Sequence, residues 1–319
     1  MSKPRLFLID GYSNIFRAFY AIRGLSNSRG EPTNAVYGFH NMLQKLLREE
    51  DPELIGVAWD LGEPTVRSDK YEDYKAHRKP TPEDLIPQLP WIRRLLEAYD
   101  IPVLEMEGYE ADDVLGTIAL EAAEEDYEVI LVSADKDLMQ LVRPGVSLFH
   151  TGRDKLYDPE LVEEDFGVPP ERVIDVLALT GDTSDNVPGV PGIGKKGAPQ
   201  LIREFGDLET LLDRAEEVSR KSYREGLQEH RETAILSRDL VTIHTDLEIP
   251  FEPERLHREE PDVEALREIF ARMEFFSLLE ELTTTREERG MEPAVEVTSS
   301  EELEEAATEI GQEIGLLAV

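Results

Sequence analysis

Nine acidic residues lie at the ends of apolar runs or in short polar loops. Asp10 closes RLFLID, Asp60 closes LIGVAWD, and Asp135 closes YEVILVSAD with Asp137 two residues on. Glu110, Asp112 and Asp113 belong to GYEADD, ahead of an amphipathic stretch, and Asp182 and Asp185 belong to GDTSDN. Taken singly, an Asp after a strand is a turn or cap residue. Acids at the start of a helix favour its positive end. As a set they read differently. So many carboxylates delivered to one edge cannot all stay ionised at close range unless cations neutralise them. The chain has no Cys and only 6 His, so the available ligands are oxygen. That selects Mg²⁺ or Mn²⁺ over Zn²⁺. The number of acids points to two ions, the arrangement that cleaves phosphodiesters.

Positive charge is concentrated in TVRSDKYEDYKAHRKP, where Arg67, Lys70, Lys75, Arg78 and Lys79 alternate with Tyr71 and Tyr74. On a helix, Lys75 and Arg78 would share a face. Cations for phosphates beside rings for bases suit a single strand of nucleic acid. The competing reading is a solvated helix face laced with ion pairs. A second stretch, GVPGIGKKGAP over 189–199, nearly fits two phosphate-loop patterns. The dinucleotide fingerprint needs a strand immediately before its glycines. Here a polar loop ending in Pro188 precedes them, and Lys196 stands where a P-loop needs a hydroxyl. Both matches are coincidental. The glycines allow a tight turn between two short helices that brings backbone N–H groups to a phosphate, with Lys195 and Lys196 adding sequence-independent contacts.

These residues need elements to place them. The apolar runs 5–10, 54–60, 101–106 and 127–135 read as buried strands, with amphipathic helices at 34–49, 83–99 and 111–125 between them. That alternation predicts an α/β fold with a mostly parallel sheet flanked by helices, and a site at the carboxyl ends of the strands. After residue 158 strands stop, and short helices are expected at 160–166, 170–179, 196–205, 207–213 and 229–239. Residues 262–283 carry one more amphipathic pattern, and 286–293 read as a linker. Residues 294–319 suggest strand, helix (capped at Ser299–Glu302) and strand, a unit expected to continue into a domain absent here.

The 319 residues suffice for two ordinary domains, and 40% hydrophobic content supports a core. Without Cys there are no disulfides or thiolate sites. The start of the chain reads as a first strand rather than a signal peptide, and no apolar run spans a membrane, so the expected location is cytoplasmic. The net charge of −35 argues, alone, against a nucleic-acid partner. Few Lys among many acids would suit a salt-rich cytoplasm. That is a hypothesis, which a salt titration of activity peaking in dilute buffer would sink.

Several long stretches together resemble a family. LFLIDGYSNIFRAFYA, SRGEPTNAVYGF, YKAHRKPTPEDL, EGYEADDVLGTIA, SADKDLMQLV, LTGDTSDNVPGVPGIGKKGA and ARMEFFSLLEEL, spread over residues 5–283, are similar to the flap endonuclease-like 5′ nucleases of bacteria, in the form that makes up the N-terminal domain of DNA polymerase I. The resemblance implies a PIN-like 5′ nuclease core over 1–180, with an arch or gateway near 67–95. It implies a helix–hairpin–helix (H3TH) subdomain and closing helix over 181–285. Residues 286–319 would be a linker and the truncated start of a 3′-5′ exonuclease-like domain.

The same resemblance implies metal-dependent 5′-3′ exonuclease or flap-endonuclease activity on DNA carrying a 5′ flap, nick or gap, or on an RNA primer, during replication and repair. It implies no polymerase activity from this chain, a monomer, no membrane, and the rest of DNA polymerase I in cis. Asp10, Asp60, Glu110, Asp112 and Asp113 are expected around a first Mg²⁺. Asp135, Asp137, Asp182 and Asp185 are expected around a second, with Mn²⁺ able to substitute. Tyr74, Lys75 and Arg78 fall on the family's YKxxR positions beside the scissile phosphate. Arg17 and Asn186 take supporting roles. Arg67, Lys70 and the turn residues Gly189, Gly192, Ile193, Gly194, Lys195 and Lys196 are expected to meet DNA, with K⁺ an option at 189–194. Two departures stand out. Lys196-Gly197-Ala198-Pro199 replaces the common Lys-Thr-Ala, which bears on duplex affinity. Trp59-Asp60 replaces Phe-Asp, a minor apolar swap. The competing functions are a PIN-like ribonuclease and a non-catalytic DNA clamp.

Overall fold

The computed structural model describes residues 3–288; the strand–helix–strand expected at 294–319 lies outside them. Six strands form one sheet: β1 (Arg5–Asp10), β2 (Leu54–Ala58), β3 (Val103–Leu104), β4 (Glu128–Ser133), β5 (Val146–His150) and β6 (Lys155–Tyr157), in the order β3-β2-β1-β4-β5-β6. All neighbours are parallel except β5 and β6. The sheet is therefore mixed, and mostly parallel as expected. LFLI, LIGVA and VILV are buried throughout. Strands covered on both faces read as continuous apolar runs rather than alternating ones.

β5 and β6 were not expected. In β5 buried residues alternate with half-buried ones, and β6 has three residues, so neither carries an apolar run. The register decides where the acids fall. Asp10 pairs with Ala58 and Ile9 with Val132, so the chain leaves β1, β2 and β4 at the same edge.

In chain order the helices are α1 (Gly11–Ala21), α2 (Asn34–Glu50), α3 (Val66–Lys70), α4 (Leu89–Ala98), α5 (Ala111–Glu124), α6 (Pro159–Phe166), α7 (Val173–Thr180), α8 (Gly197–Phe205), α9 (Leu208–Asp213), α10 (Lys221–Glu229), α11 (Arg231–Val241), α12 (Pro253–Leu256), α13 (Val263–Met273) and α14 (Phe276–Glu288). The chain gathers into two compact units. One comprises the residues up to Asn14 with 51–80 and 102–258; the other comprises 15–50, 81–101 and the residues from 259 on.

In the first unit α5 packs on β1, β2 and β4. Its buried face is Val114, Leu115, Ile118, Ala119 and Ala122. One apolar core runs from Leu6, Leu131 and Leu148 in the sheet to Leu177, Leu201, Leu211 and Leu240 among α7–α11. Each buried Leu of this kind contributes roughly 1.5–3 kcal/mol.

Two local expectations change in this unit. The basic stretch is not a helix beyond Lys70. Turns follow, and Lys75 takes a left-handed backbone (φ 57°), so Lys75 and Arg78 do not share a helix face. α10 appears where no helix was expected, in a polar segment interrupted by Gly226. α6 ends on Gly167 in the left-handed conformation, a common way to terminate a helix.

In the second unit α4 packs on α2 and α13. Gln88 fastens the start of α2: its Oε1 accepts from Ala35 N at 2.7 Å and its Nε2 donates to Asn34 Oδ1 at 2.9 Å. His40 is buried edge-to-face on Phe270, and that burial pushes its pKa down to about 4. The amphipathic stretch 262–283 breaks into α13 and α14 at Glu274, whose left-handed backbone (φ 60°) ends α13. α14 then runs to Glu288, three residues into the expected linker.

Candidate active site

Asp10 sits at the end of β1 with 5% of its surface exposed. Its Oδ1 accepts the N–H of Ser13 at 3.0 Å, and its Oδ2 accepts the hydroxyl of Ser133, the last residue of β4, at 2.6 Å. The same hydroxyl accepts the N–H of Asp135 at 3.0 Å, so one serine ties the ends of two strands. Asn14 completes the join, donating to the Asp10 carbonyl at 2.7 Å and the Val132 carbonyl at 3.0 Å. Asp60, past the end of β2, accepts the N–H of Ala111 at 2.8 Å and so touches the first turn of α5. Asp112 projects from that turn toward Asp10, Asp60 and Asp135.

These carboxylates repel one another. Burial raises the Asp10 pKa to about 7, with Ser133 and Ser13 opposing and Asp135 and Asp60 reinforcing. Burial and the charges of Asp10, Asp135 and Asp60 push Asp112 well above the usual carboxylate range. Burial raises Asp60 as well. On the other side of Asp135, burial and that same carboxylate raise Asp137 to about 7. Asp137 Oδ1 is buried with no hydrogen-bond partner.

The remaining acids occupy the loop after α7. Gly181 and Gly189 both have left-handed backbones (φ 67° and 64°) and cross in contact. A Cβ on Gly189 would lie 2.4 Å from Gly181 N, and one on Gly181 would lie 2.5 Å from the Val187 carbonyl. Only glycine permits that crossing. Paired bonds between Asp182 and Val187, of 2.9 and 2.7 Å, close the loop. Asp182 meets the Lys136 ammonium. Burial works upward on Asp182, but Lys136 together with the N–H groups of Ser184 and Asp185 outweighs it and the carboxyl settles below its ordinary value. Asp185 accepts Arg78 Nη2 at 2.5 Å and lies 3.8 Å from Lys75 Nζ.

Lys75 links the two acidic groups. Its ammonium donates to Glu110 Oε1 at 2.6 Å and its N–H donates to the Asp185 carbonyl at 2.9 Å. The buried Tyr74 donates to Glu110 Oε2 at 3.2 Å. Its ring centroid lies 5.0 Å from the Lys75 ammonium.

Several expected site residues are placed elsewhere. Arg67 is 4% exposed. Its guanidinium donates to Asp113 at 2.7 and 2.6 Å, to the Leu240 carbonyl at 3.0 Å and to the Thr242 carbonyl at 2.7 Å. That leaves no face for a DNA phosphate. Asp113 is fully buried and accepts, beside Arg67, the N–H groups of Glu110 and His244. Its oxygens are thus taken by four donors rather than open to a metal. Gly189 serves the loop crossing, and Ile193 is buried with 3% exposed. Lys70 pairs with Asp239 on the surface. Gly192, Gly194, Lys195 and Lys196 are exposed. Ser133, Asn14 and Lys136 escaped the sequence reading. The signal for Lys136 was its place between two acids in SADKDL; for Ser133 and Asn14 there was none beyond adjacency to Asp135 and Asp10.

The region carrying this geometry matches two family models: the N-terminal resolvase-like domain of the 5′-3′ exonucleases over residues 5–167, and their C-terminal SAM fold over 168–264. The chain belongs to the 5′-3′ exonuclease family. It is 42% identical over 90% of its length to DNA polymerase I of Bacillus caldotenax, and 45% identical over 88% to the thermostable DNA polymerase I of Thermus thermophilus. It spans about a third of the length of those curated relatives. In fold it is similar to the T5 D15 protein co-crystallized with metal ions, with a TM-score of 0.66 and 25% identity over 76% of this chain and 90% of that one. No helix among the described residues is long and apolar enough to cross a membrane.

The donor set suits the metal use of that relative. Among the described residues no three His, Asp or Glu side chains stand as a closed ligand set. The free donors are nonetheless all carboxylate oxygens, several raised toward neutrality, and one of them, Asp137 Oδ1, is buried with no hydrogen bond and only the Lys136 ammonium 3.6 Å away. That is the chemistry of a site for hard divalent cations.

Proposed function

We propose that this chain is a divalent-metal-dependent 5′ nuclease. It hydrolyses DNA phosphodiesters at single-strand/duplex junctions, leaving a 5′-phosphate and a 3′-hydroxyl, and serves 5′-flap and primer removal as the N-terminal part of a DNA polymerase I. The observation that carries this reading is the mutual repulsion of Asp10, Asp60, Asp112 and Asp135 at one edge of the sheet, with the Lys75 ammonium between them and Asp185. A structural role for those acids would leave each one answered by a cation, as Arg67 answers Asp113.

Asp10, Asp60, Glu110 and Asp112 would hold one Mg²⁺, and Asp135, Asp137, Asp182 and Asp185 a second. Bound there, the pair would supply a water nucleophile at neutral pH and charge stabilisation for the leaving oxygen. Within the chain, Ser133 and the Ser13 N–H fix the Asp10 carboxylate, and the Ala111 N–H fixes Asp60. Lys75 and Arg78 present cations to the scissile phosphate, oriented by Glu110 and Asp185. Tyr74 holds Glu110 in line with Lys75. The exposed turn 192–196 meets the duplex backbone through Lys195, Lys196 and the open N–H groups of Gly192 and Gly194, and K⁺ at its carbonyls belongs to the same reading.

The test is cleavage of a 5′-flap duplex by the chain with Mg²⁺, with excess chelator, and in the Asp10→Ala, Asp135→Ala double variant. Cleavage should require the metal and vanish in the double variant, while calorimetry shows Mg²⁺ binding lost. Cleavage that survives both would sink the metal mechanism. Preference for single-stranded RNA would turn the reading to a ribonuclease. DNA binding without cleavage under any condition would turn it to a clamp.

A further inference from the structure

Gly197, the departure from the family's common Thr, opens α8 in a place that a side chain could enter only by moving the Tyr223 ring. A Cβ there would lie 2.4 Å from Tyr223 Oη, 2.8 Å from its Cζ and 2.9 Å from its Cε2. The ring that fills the space belongs to α10, and the same helix touches the glycine turn a second time. At Gly226 a Cβ would lie 3.2 Å from the Pro191 carbonyl and 3.5 Å from Val190. Positions 223 and 226 lie on one helix face, so α10 rests on both ends of the 190–197 turn.

Tyr223 in turn carries Arg220. The guanidinium lies 4.1 Å above the ring centroid and donates Nη1 to Tyr223 Oη at 2.7 Å. Its Nε donates to Ser222 Oγ at 3.2 Å. A cation stacked and hydrogen-bonded at once is held in one place. That place is beside Gly197 at the start of α8, the residue that follows Lys195 and Lys196 in the chain. In a chain with net charge −35, none of Lys195, Lys196 and Arg220 has a carboxylate partner among the described residues. Neighbouring cations such as Arg214 and Lys221 do, in Glu217 and Glu225.

We infer that Tyr223 is a positioning residue for DNA. It pins Arg220 beside the turn as a further phosphate contact, and position 197 is glycine because the Tyr223 ring occupies the room of its side chain. The inference rests on the reading of the turn as a grip on the duplex backbone. It assigns the Gly197 departure a compensating partner rather than a loss of affinity: a cation from the residue just before α10 joins the phosphates that the turn already meets.

The experiment is equilibrium binding of a fluorescent 5′-flap duplex to the chain in chelator, over about 50 to about 300 mM KCl, with thermal midpoints recorded for every variant. Removing one cation from a phosphate lowers the slope of log K against log salt by roughly 0.9. Arg220→Gln should lower the slope by about 1 and weaken binding several-fold at about 0.1 M salt. Tyr223→Leu should reproduce that loss with Arg220 still present, and the two changes together should be no worse than either. Tyr223→Phe keeps the stacking and should restore most of the slope, and in Tyr223→Leu the slope should fall by the share of one cation with the thermal midpoint little changed, which a merely structural ring would not give. Gly197→Ala, which must displace the ring, should behave as Tyr223→Leu. An unchanged slope in Arg220→Gln, or additive losses in the pair, would overturn the inference. Lys195→Ala with Lys196→Ala separates the two levels. If that pair lowers the slope by about 2 and Arg220→Gln does nothing, only the role of Arg220 falls. If that pair also does nothing, the turn is not a DNA grip and both readings fall.

Discussion

At the strand edge, Asp10 and Asp60 accept hydrogen bonds from a serine hydroxyl and from backbone N–H groups. In the 181–189 loop, Asp182 and Asp185 face the ammonium of Lys136 and the guanidinium of Arg78. Dipoles fix a carboxylate's direction while leaving its charge uncancelled, so the strand-edge acids are pushed toward neutrality by burial and by one another. Asp182, answered by a full positive charge, moves the other way. One group is rigid and unbalanced; the other is balanced by side chains that can leave. A site built so would bind its first cation at the strand edge, where repulsion is relieved, and its second only against competition from Lys136 and Arg78.

The largest expected effect is at Asp112, which faces three other carboxylates. Asp112→Asn should slow flap cleavage by about 10³-fold, the scale of several kcal/mol of lost charge stabilisation. Without metal it should also raise the melting temperature by roughly 1–2 °C, the shift that about 1 kcal/mol gives in a chain of this length. Calorimetry of the metal-free variant decides the point. A lowered melting temperature would mean that the strand-edge acids are not in net repulsion, and the contrast between the two groups would break.

Arg67 and Asp113 provide the internal reference, an acid and a base that face each other in two hydrogen bonds with their remaining sites taken by the backbone. Arg67→Ala leaves Asp113 buried and uncompensated, which costs about 3–5 kcal/mol. Chemical denaturation should read that loss in the metal-free protein, with Mg²⁺ unable to restore it. If Mg²⁺ did restore it, Asp113 would belong with the strand-edge acids after all. Lys75 lies between these extremes, touching Glu110 and, more loosely, Asp185. Lys75→Ala should cost on the order of 10²-fold in cleavage rate, with a metal-free stability change below about 1 kcal/mol because the ammonium is partly solvated. Single-turnover kinetics beside denaturation would separate the two.

The sequence made the sheet and the acids legible for a common reason: long apolar runs and the acids that end them are local features. β1, β2 and β4 were found within two residues of their ends because LFLI, LIGVA and VILV are buried on both faces. β5 and β6 lacked that signal, since VSLFH alternates and KLY is too short to show a period. α10 was missed because Leu227 is its single buried residue, too little to show a period in a polar segment that contains Gly226, and α13–α14 merged because a break at Glu274 has no Gly or Pro to announce it. Among site residues, what failed was partnership. Arg67 was grouped with Lys75 and Arg78 by nearness in sequence, yet its partners lie 46 to 175 positions away at Asp113, Leu240 and Thr242. Asp113 differs from Asp112 by one residue along α5, and that step of about 100° turns it from the open edge to the buried guanidinium.

Lys136 carries the smallest and most diagnostic prediction. Asp137 and Asp182 hold its charge against the penalty of burial, and the ion pair keeps the loop acid below its ordinary value. Lys136→Gln removes the cation but keeps a donor of similar length, so Asp182 becomes held by dipoles in the manner of Asp10. Metal-free stability should fall by about 1 kcal/mol, because the pair is only partly exposed. The affinity for the weaker of two bound Mg²⁺ ions should then rise several-fold, since the ion no longer displaces an ammonium. Titration calorimetry resolves both steps. A weaker second affinity would show that Lys136 shapes the ligand set instead of competing with it, and the two acidic groups would then differ in geometry alone.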